Sequence, residues 1–542
     1  MRTLVLAAAA LSLVAAAPPP VSAATPTPIS AGRIKADVET LSSDAFGGRG
    51  PGEDGEAKTI DFLQKSMAAA GLQPGGPGGS WVQEVPLVRL DRQPGAQMAL
   101  TFAGKTHPLQ TGQNVTLALR NPGVTAISDL PLVFAGFGIV GNGYDAYRGV
   151  DMAGKIAVVL ANDPDFEAGS DLGFEGRRLV VAGRVGSKFE AAARAGAAGV
   201  IVIHEDAAAS YPWLQVASGD ALPAMSFAPL AASTLKFSGW LPLPLGTELL
   251  ASAGLSLADA KARARAPGFT ATALPGATLS AQGELKATPV TSHNVIGMLP
   301  GTTRPAEVVL YGAHWDANGA NGPDASGDAI RNGAIDNATG TAELLEVARA
   351  FAKGPKPARS VVFAAWTAEE KGLLGAEYYA GHSVHPLAST VAVINLDPHV
   401  VLPAARNIEL VGGGRTPLES DLRSAAASLG LRVSDEPNPE AGWYFRSDHY
   451  PFARRGVPAL SFRAGRDLVS GGTAKGDALV GDYNATRYHQ PSDQFMADWT
   501  FAGTAQEASV AYLVGRKLAD GADWPVWNAV NEYAPLRASG PK

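Results

Sequence analysis

The stretch Val308-Val309-Leu310-Tyr311-Gly312-Ala313-His314-Trp315-Asp316 decides how this chain reads. An apolar run leads straight into an imidazole and a carboxylate. Two later stretches repeat the pattern: Ser360-Val361-Val362-Phe363-Ala364-Ala365-Trp366 leads to Glu369-Glu370, and Val391-Ala392-Val393-Ile394-Asn395-Leu396 leads to Asp397. Between the first two, Gly333-Ala334-Ile335-Asp336-Asn337-Ala338-Thr339-Gly340 opens a helical pattern that reaches Phe351. Short apolar runs bounded by helical patterns are expected to form buried parallel strands. In an open sheet of such strands, ligands bind beyond the carboxyl ends. One imidazole and several carboxylates would then share one crevice, which suits a hydrolytic metal site.

The residue types fit that chemistry. Two metal ions about 3.5–4 Å apart can activate a water and polarise a carbonyl, and a carboxylate with two oxygens can bridge them. Asp336, where the helix opens, is the expected bridge. His314 suits a terminal nitrogen ligand. Asp316 lies two residues on, on the same face of an extended strand end, where a carboxylate could fix the imidazole tautomer. Neighbouring side chains diverge at a strand end, so one of Glu369 and Glu370 can bind metal while the other faces the water as base. Asp397 completes one metal. His489, in Tyr488-His489-Gln490-Pro491-Ser492-Asp493, is the candidate for the other.

Composition bounds the alternatives. A chain of 542 residues calls for two domains or more. Hydrophobic content of 46% and charged content of 18% are ordinary for a large globular core. A net charge of −7 argues against a nucleic-acid partner. The chain has no cysteine, hence no disulfide framework and no thiol nucleophile. Arg2, the apolar run Leu4 to Ala17 and Val21-Ser22-Ala23 together read as a cleaved export signal over residues 1–23. That run is too short to cross a bilayer. A periplasmic or secreted protein without a membrane anchor is expected. No Gly-x-Ser-x-Gly or His-Glu-x-x-His motif occurs, which sets aside the commonest serine-hydrolase and single-zinc protease patterns.

Elsewhere the chain alternates strand and helix. Two helical patterns lie between Ile34 and Gly71, and short strand-like pieces occupy residues 81–122. Strands are expected at 131–138, 155–160 and 199–203, with a helix at 188–197. Residues 128–277 read as an inserted domain between two segments that belong together. After 278 the alternation resumes, with strands at 407–411 and 457–462 and helices at 417–429 and 497–519. Residues 465–482 read as a long glycine-rich loop, and Trp524, Trp527 and Tyr533 as surface-packed tail residues.

The run of HWD, NGAIDNATG, AEEKGLLGAEYYA, NLD, FRSDHYPFARRGVPAL and RYHQPSD resembles the M28 zinc aminopeptidases. The likeness takes in most of residues 31–530, including Leu41-Ser42-Ser43-Asp44 and Gly47-Gly48-Arg49 near the start. It implies an α/β phosphorylase/hydrolase-like fold, a mixed, mostly parallel sheet sandwiched by helices, with two zinc ions per chain. It implies that His314 and Asp397 bind one zinc, Glu370 and His489 the other, and that Asp336 bridges. Glu369 would be the general base and Asp316 the orienter of His314. Tyr488 resembles the tyrosine that hydrogen-bonds the oxyanion, and Arg446 a contact to the substrate carbonyl. Pro398 departs from the pattern, where relatives more often carry methionine. The insert resembles a β-rich α/β protease-associated (PA) domain through Gly136-Phe137-Gly138-Ile139, Gly154-Lys155-Ile156 and Ala195-Gly196-Ala197-Ala198-Gly199-Val200. Such a domain would lie over the active site and limit substrate size. The implied division is 24–127 and 278–542 for the peptidase and 128–277 for the insert. The implied activity is removal of N-terminal residues from peptides. A one-zinc glutaminyl cyclase, a PA-type carboxypeptidase and a non-catalytic receptor-like protein are the rival readings.

Overall fold

Alternation along the strand Arg304–His314 sorts its side chains onto two faces. Val309, Tyr311 and Ala313 join one buried cluster, while Val308 and Leu310 join another. The neighbouring strand Arg359–Trp366 divides the same way, with Val361, Phe363 and Ala365 on one side and Val362, Ala364 and Trp366 on the other. A period of two with both faces apolar is what a strand buried on both sides requires. In this computed structural model, which describes residues 28–167, 172–220, 222–324, 326–529 and 531–537, these strands form the centre of a sheet covered by helices on both faces. The expected export signal lies outside the described residues.

The sheet of this segment is mixed and mostly parallel, as the sequence implies. Arg304–His314 runs parallel to Arg359–Trp366 on one side and to Thr390–Asn395 on the other. Thr390–Asn395 in turn pairs in parallel with Ala459–Ala464. The antiparallel strands Thr272–Leu299 and Asn407–Val411 extend it on either side. Helices Ala31–Leu41, Asp54–Ala70, Gly340–Lys353, Leu418–Ser428 and Ala502–Asp520 bury their apolar stripes on one face. Leu374–Gly381 and Tyr450–Ala453 cover the other. No helix among the described residues is long and apolar enough to cross a membrane.

Two expectations fail. The glycine-rich stretch expected as a loop contains a helix, Gly472–Thr486. Its buried residues Gly476, Val480 and Tyr483 follow helical spacing. Gly476 is needed because a Cβ there would lie 2.1 Å from the carbonyl oxygen of Arg466. In the tail, Trp527 and Tyr533 are buried rather than superficial. Trp527 donates its indole N–H to the Gly456 carbonyl at 2.8 Å, and the two rings complete the cluster around Tyr450.

The insert has its own parallel strands. Ile156–Leu160 lies between Gly123–Phe134 and Gly199–His204, and Phe237–Pro242 continues the sheet. Its core also takes in Val88, Leu90, Met98, Leu100, Phe102, Leu109 and residues up to Leu119, which the sequence reading assigned to the peptidase segment. The two sheets are joined by one 28-residue strand, Thr272–Leu299. Its first half pairs with Gly123–Phe134, its middle with Val82–Arg92, and its last residues with Arg359–Trp366.

Candidate metal centre

The expected ligands meet at the carboxyl ends of the parallel strands. His314 ends one strand and Asp397 follows another, while Glu369 and Glu370 sit in the turn after a third. Asp336 comes from the segment Ala334–Thr339 that leads into the helix Gly340–Lys353. His489 comes from the loop after Gly472–Thr486, with a positive φ of 60°. The donor atoms form two triads, His314–Asp336–Asp397 and Asp336–Glu370–His489, that share Asp336.

The spacing is specific. Asp336 turns Oδ1 to His314 Nε2 at 3.3 Å and Oδ2 to His489 Nε2 at 3.2 Å. His314 Nε2 is 3.6 Å from Asp397 Oδ1, and His489 Nε2 is 3.2 Å from Glu370 Oε2. Donors at about 2.0–2.1 Å around a tetrahedral zinc are about 3.3 Å from one another. The observed separations therefore fit two nitrogen-and-oxygen coordination spheres with a common carboxylate edge. His314, Asp336, Glu370, Asp397 and His489 would hold the ions.

The charges point the same way. Burial pushes the Glu369 carboxyl well above its usual range, opposed by His314 and reinforced by Asp448, Asp397 and Glu370. Burial raises Glu370 too, against the pull of His489. Burial disfavours a charged His314, yet the carboxylates around it, Glu369 first, hold its imidazole well above its usual pKa. Asp336 would also be raised by burial, but hydrogen bonds from His314 and His489 bring it below the ordinary carboxylate range. So many acids in a buried place, with His314, His489, Arg49 and Lys371 as the cations acting on them, suit a cation site.

Supporting contacts fix the geometry. The side chain of Asp316 does not carry the closest bond to His314. Nδ1 of His314 lies 3.1 Å from the backbone carbonyl of Asp316 and 3.7 Å from its carboxylate. The carboxylate instead accepts the backbone N–H groups of Glu369 at 3.1 Å and Glu370 at 3.4 Å. Arg49 is buried and donates to the carbonyls of Trp315, Leu41, Asn332 and Gly333 at 2.7–2.9 Å. It thereby ties the loop after His314 to the loop before Asp336. Asp493 accepts the N–H groups of Ile335 at 3.2 Å and Asp336 at 3.1 Å. Ser447 donates to Asp397 and receives a bond from Asn395 at 2.7 Å. Gly340 stands between two ligand loops, since a Cβ there would fall 2.3 Å from both Asn337 Oδ1 and the Leu396 carbonyl.

Asp493 and Ser447 lie inside quoted motifs, but no spacing rule gives them a role. Asp448 is buried with neither carboxylate oxygen hydrogen-bonded, facing the field of His314, Asp397 and Asp316. Tyr488 and Arg446 both line the cleft that opens beside Asp336, Glu369 and Asp397. The Tyr488 phenol is held well above its usual pKa by burial, so it stays a donor. The insert contacts residues at and next to this cleft. The Tyr211 ring lies 5.3 Å from the Arg446 guanidinium, and Gln490 donates to Ser218 at 3.1 Å.

Residues 294–513 match the model described as peptidase family M28, and residues 128–231 match that of the PA domain. The chain contains an M28 peptidase domain joined to a PA domain. Among curated relatives, the chain is 29% identical over 252 residues to a probable zinc metalloprotease of Pyrenophora tritici-repentis (strain Pt-1C-BFP), a match covering 44% of this chain and 53% of that protein. It is 35% identical over 157 residues to aminopeptidase NAALADL1 of Mus musculus, covering 27% of this chain and 19% of the relative. The matches thus span about half, or less, of these relatives' length. The solved aminopeptidase from Aneurinibacillus sp. strain AM-1 shares the fold, with a TM-score of 0.54 at 17% identity, covering 93% of this chain and 97% of that one.

Proposed function

We propose that this M28 protein is an exported zinc aminopeptidase that removes N-terminal residues from peptides, working with two zinc ions per chain. The observation that carries the reading is Asp336, with one oxygen on each of two donor triads. When bound, the ions would supply an activated water and polarise the scissile carbonyl. Glu369 stands 3.8 Å from His314 Nε2, beside the triads, and its raised pKa suits a group that takes a proton from that water and returns it to the leaving amine. Tyr488 donates its phenolic hydrogen toward the charge that develops on the carbonyl oxygen. Asp316 holds Glu369 and Glu370 through their backbone N–H groups. The carboxylates near the metals also give a negative field for the substrate ammonium. The insert, through Tyr211 and Ser218, narrows the approach, so short peptides enter and folded proteins are spared.

The test is a panel of aminoacyl and peptide substrates on zinc-equilibrated protein, with free and acetylated N-termini, beside a metal determination. Trimming restricted to free N-termini at a zinc ratio near two is expected. Equal internal cleavage of acetylated peptides defeats the aminopeptidase reading. Full activity at a ratio near one favours a cyclase-type centre.

A further inference from the structure

The cleft beside the triads is lined by groups of both signs. It carries Asp336, Glu369 and Asp397. It also carries two guanidiniums, Arg446 and Arg463, set around the Trp443 indole at 4.5 and 5.5 Å from its centre. Tyr483 and Tyr488 also line the cleft.

The state of the two arginines is unusual. Arg463 belongs to the buried strand Ala459–Ala464, where a charge is costly unless paired. It is only 6% exposed. Its Nε donates to Glu409 at 3.2 Å, but its Nη2 has no hydrogen-bond partner. Glu409 is divided, since its other oxygen pairs with Arg466 at 3.1 Å. Arg446 stacks on Trp443 and Tyr211, and among the described residues no carboxylate pairs with it. His399, also on the wall, adds no negative charge, and its Nε2 is buried without a partner. Two guanidiniums lining one cleft, beside aromatic rings that can flank methylenes, are a donor set suited to a carboxylate.

We infer that this pocket receives the carboxylate of an acidic first residue, so that the preferred substrates begin with Asp or Glu. The inference rests on the aminopeptidase reading and names its substrate class. Arg446 and Arg463 line the same cleft as Asp336, Glu369 and Asp397, the groups proposed to flank the scissile bond. The same donors could take the carboxylate at the end of a dipeptide, and the test separates the two sources.

The experiment uses the full, zinc-loaded chain and isosteric pairs: Glu- against Gln-p-nitroanilide and Asp- against Asn-p-nitroanilide, with Leu- and Lys-p-nitroanilide alongside. A charge-assisted pair predicts kcat/KM about tenfold to a hundredfold higher for the acids. Arg463→Met should collapse that ratio toward one, while Arg463→Lys should keep part of it. The wild-type ratio remains decisive even if a variant fails to fold. Cleavage of Gln, Leu or Lys substrates as fast as Glu overturns the inference and leaves the aminopeptidase reading standing. If Leu-Gly is preferred over Leu-Gly-amide while Glu gains nothing over Gln, the pocket takes a chain end and the inference falls. If no free N-terminus is trimmed, the aminopeptidase reading has failed by itself. The pocket is then judged by thermal shift with free L-glutamate against L-glutamine. Preferential stabilisation by glutamate supports the carboxylate site, and equal shifts overturn it.

Discussion

The backbone N–H of Glu369 donates to Oδ1 of Asp316 at 3.1 Å. The turn that carries both neighbouring glutamates is therefore hung on a residue just beyond His314, and one carboxylate sets the position of acids from a different strand. Asp316→Asn keeps the shape but presents an amide N–H₂ where one acceptor stood. It should weaken zinc retention and turnover by about ten- to a hundredfold, the usual effect of removing a partner that orients ligands. A chelator titration and kcat measured together check this. Unchanged values for both would show that the amide contacts are dispensable.

Glu369 and Glu370 should respond differently to the same chemical change. Glu369→Gln cannot accept a proton and should lose about 10²–10⁴ in turnover while both metals stay bound. Glu370→Gln removes a donor of the His489 triad and should lower the metal ratio toward one. Metal analysis of the two variants separates these roles, and the reverse pattern would exchange them.

Gly340 has ordinary helical dihedrals, so only space constrains it. Gly340→Ala should push Asn337 and the Leu396 carbonyl apart, next to the ligands Asp336 and Asp397. A loss of about 1–3 kcal/mol is expected for such overpacking. It should come with weaker zinc binding, seen as a lower Tm that added zinc restores less well than in the wild type. A variant with normal Tm and zinc affinity would mean the helix start yields without moving the ligand loops.

A pH effect is expected in the insert, away from the metals. Burial pushes the Asp163 pKa up to about 6, with the backbone N–H groups of Val180 and Asp165 acting in the other direction. An unfolded aspartate titrates near 3.9. Between about pH 4 and 6 the folded protein keeps a proton that the unfolded chain has lost, so this residue's contribution to stability falls as pH rises through that window. Asp163→Asn does not titrate. Its stability relative to wild type should grow across the window by about 3 kcal/mol. Paired melts from pH 4 to 8 measure the difference, and a gap independent of pH would remove Asp163 from the account.

Much of this was readable from the chain itself, for a physical reason. His314, Glu369, Glu370 and Asp397 each follow an uninterrupted apolar run, and such runs have few ways to be buried other than as central strands. Their ends therefore had to meet. Asp336 is expected from its place where a helix opens, and His489 only as a candidate, since neither follows an apolar run. The helix Gly472–Thr486 was missed because its glycines mask a thin apolar stripe, and the glycine at 476 reflects a neighbour, the Arg466 carbonyl, that sequence cannot show. The contacts of Asp316 were missed because they are to backbone N–H groups. Arg463 left one overlooked signal, a charge inside an otherwise apolar strand. The seam of the insert was blurred because residues 88–119 are strand-like in either domain, and only packing tells which core they enter.

The strand Thr272–Leu299 makes the two halves of this molecule one mechanical object. A module attached by slack tethers can swing, but this one is continuous with the sheet that bears the metal ligands. It pairs with Gly123–Phe134 at one end, through register shifts near Ala273–Thr278 and Leu279–Ala281, and with Arg359–Trp366 at the other. If the insert narrows the approach as proposed, moving Tyr211 away means twisting a beam, and the stiffness of that beam would set how large a peptide can enter.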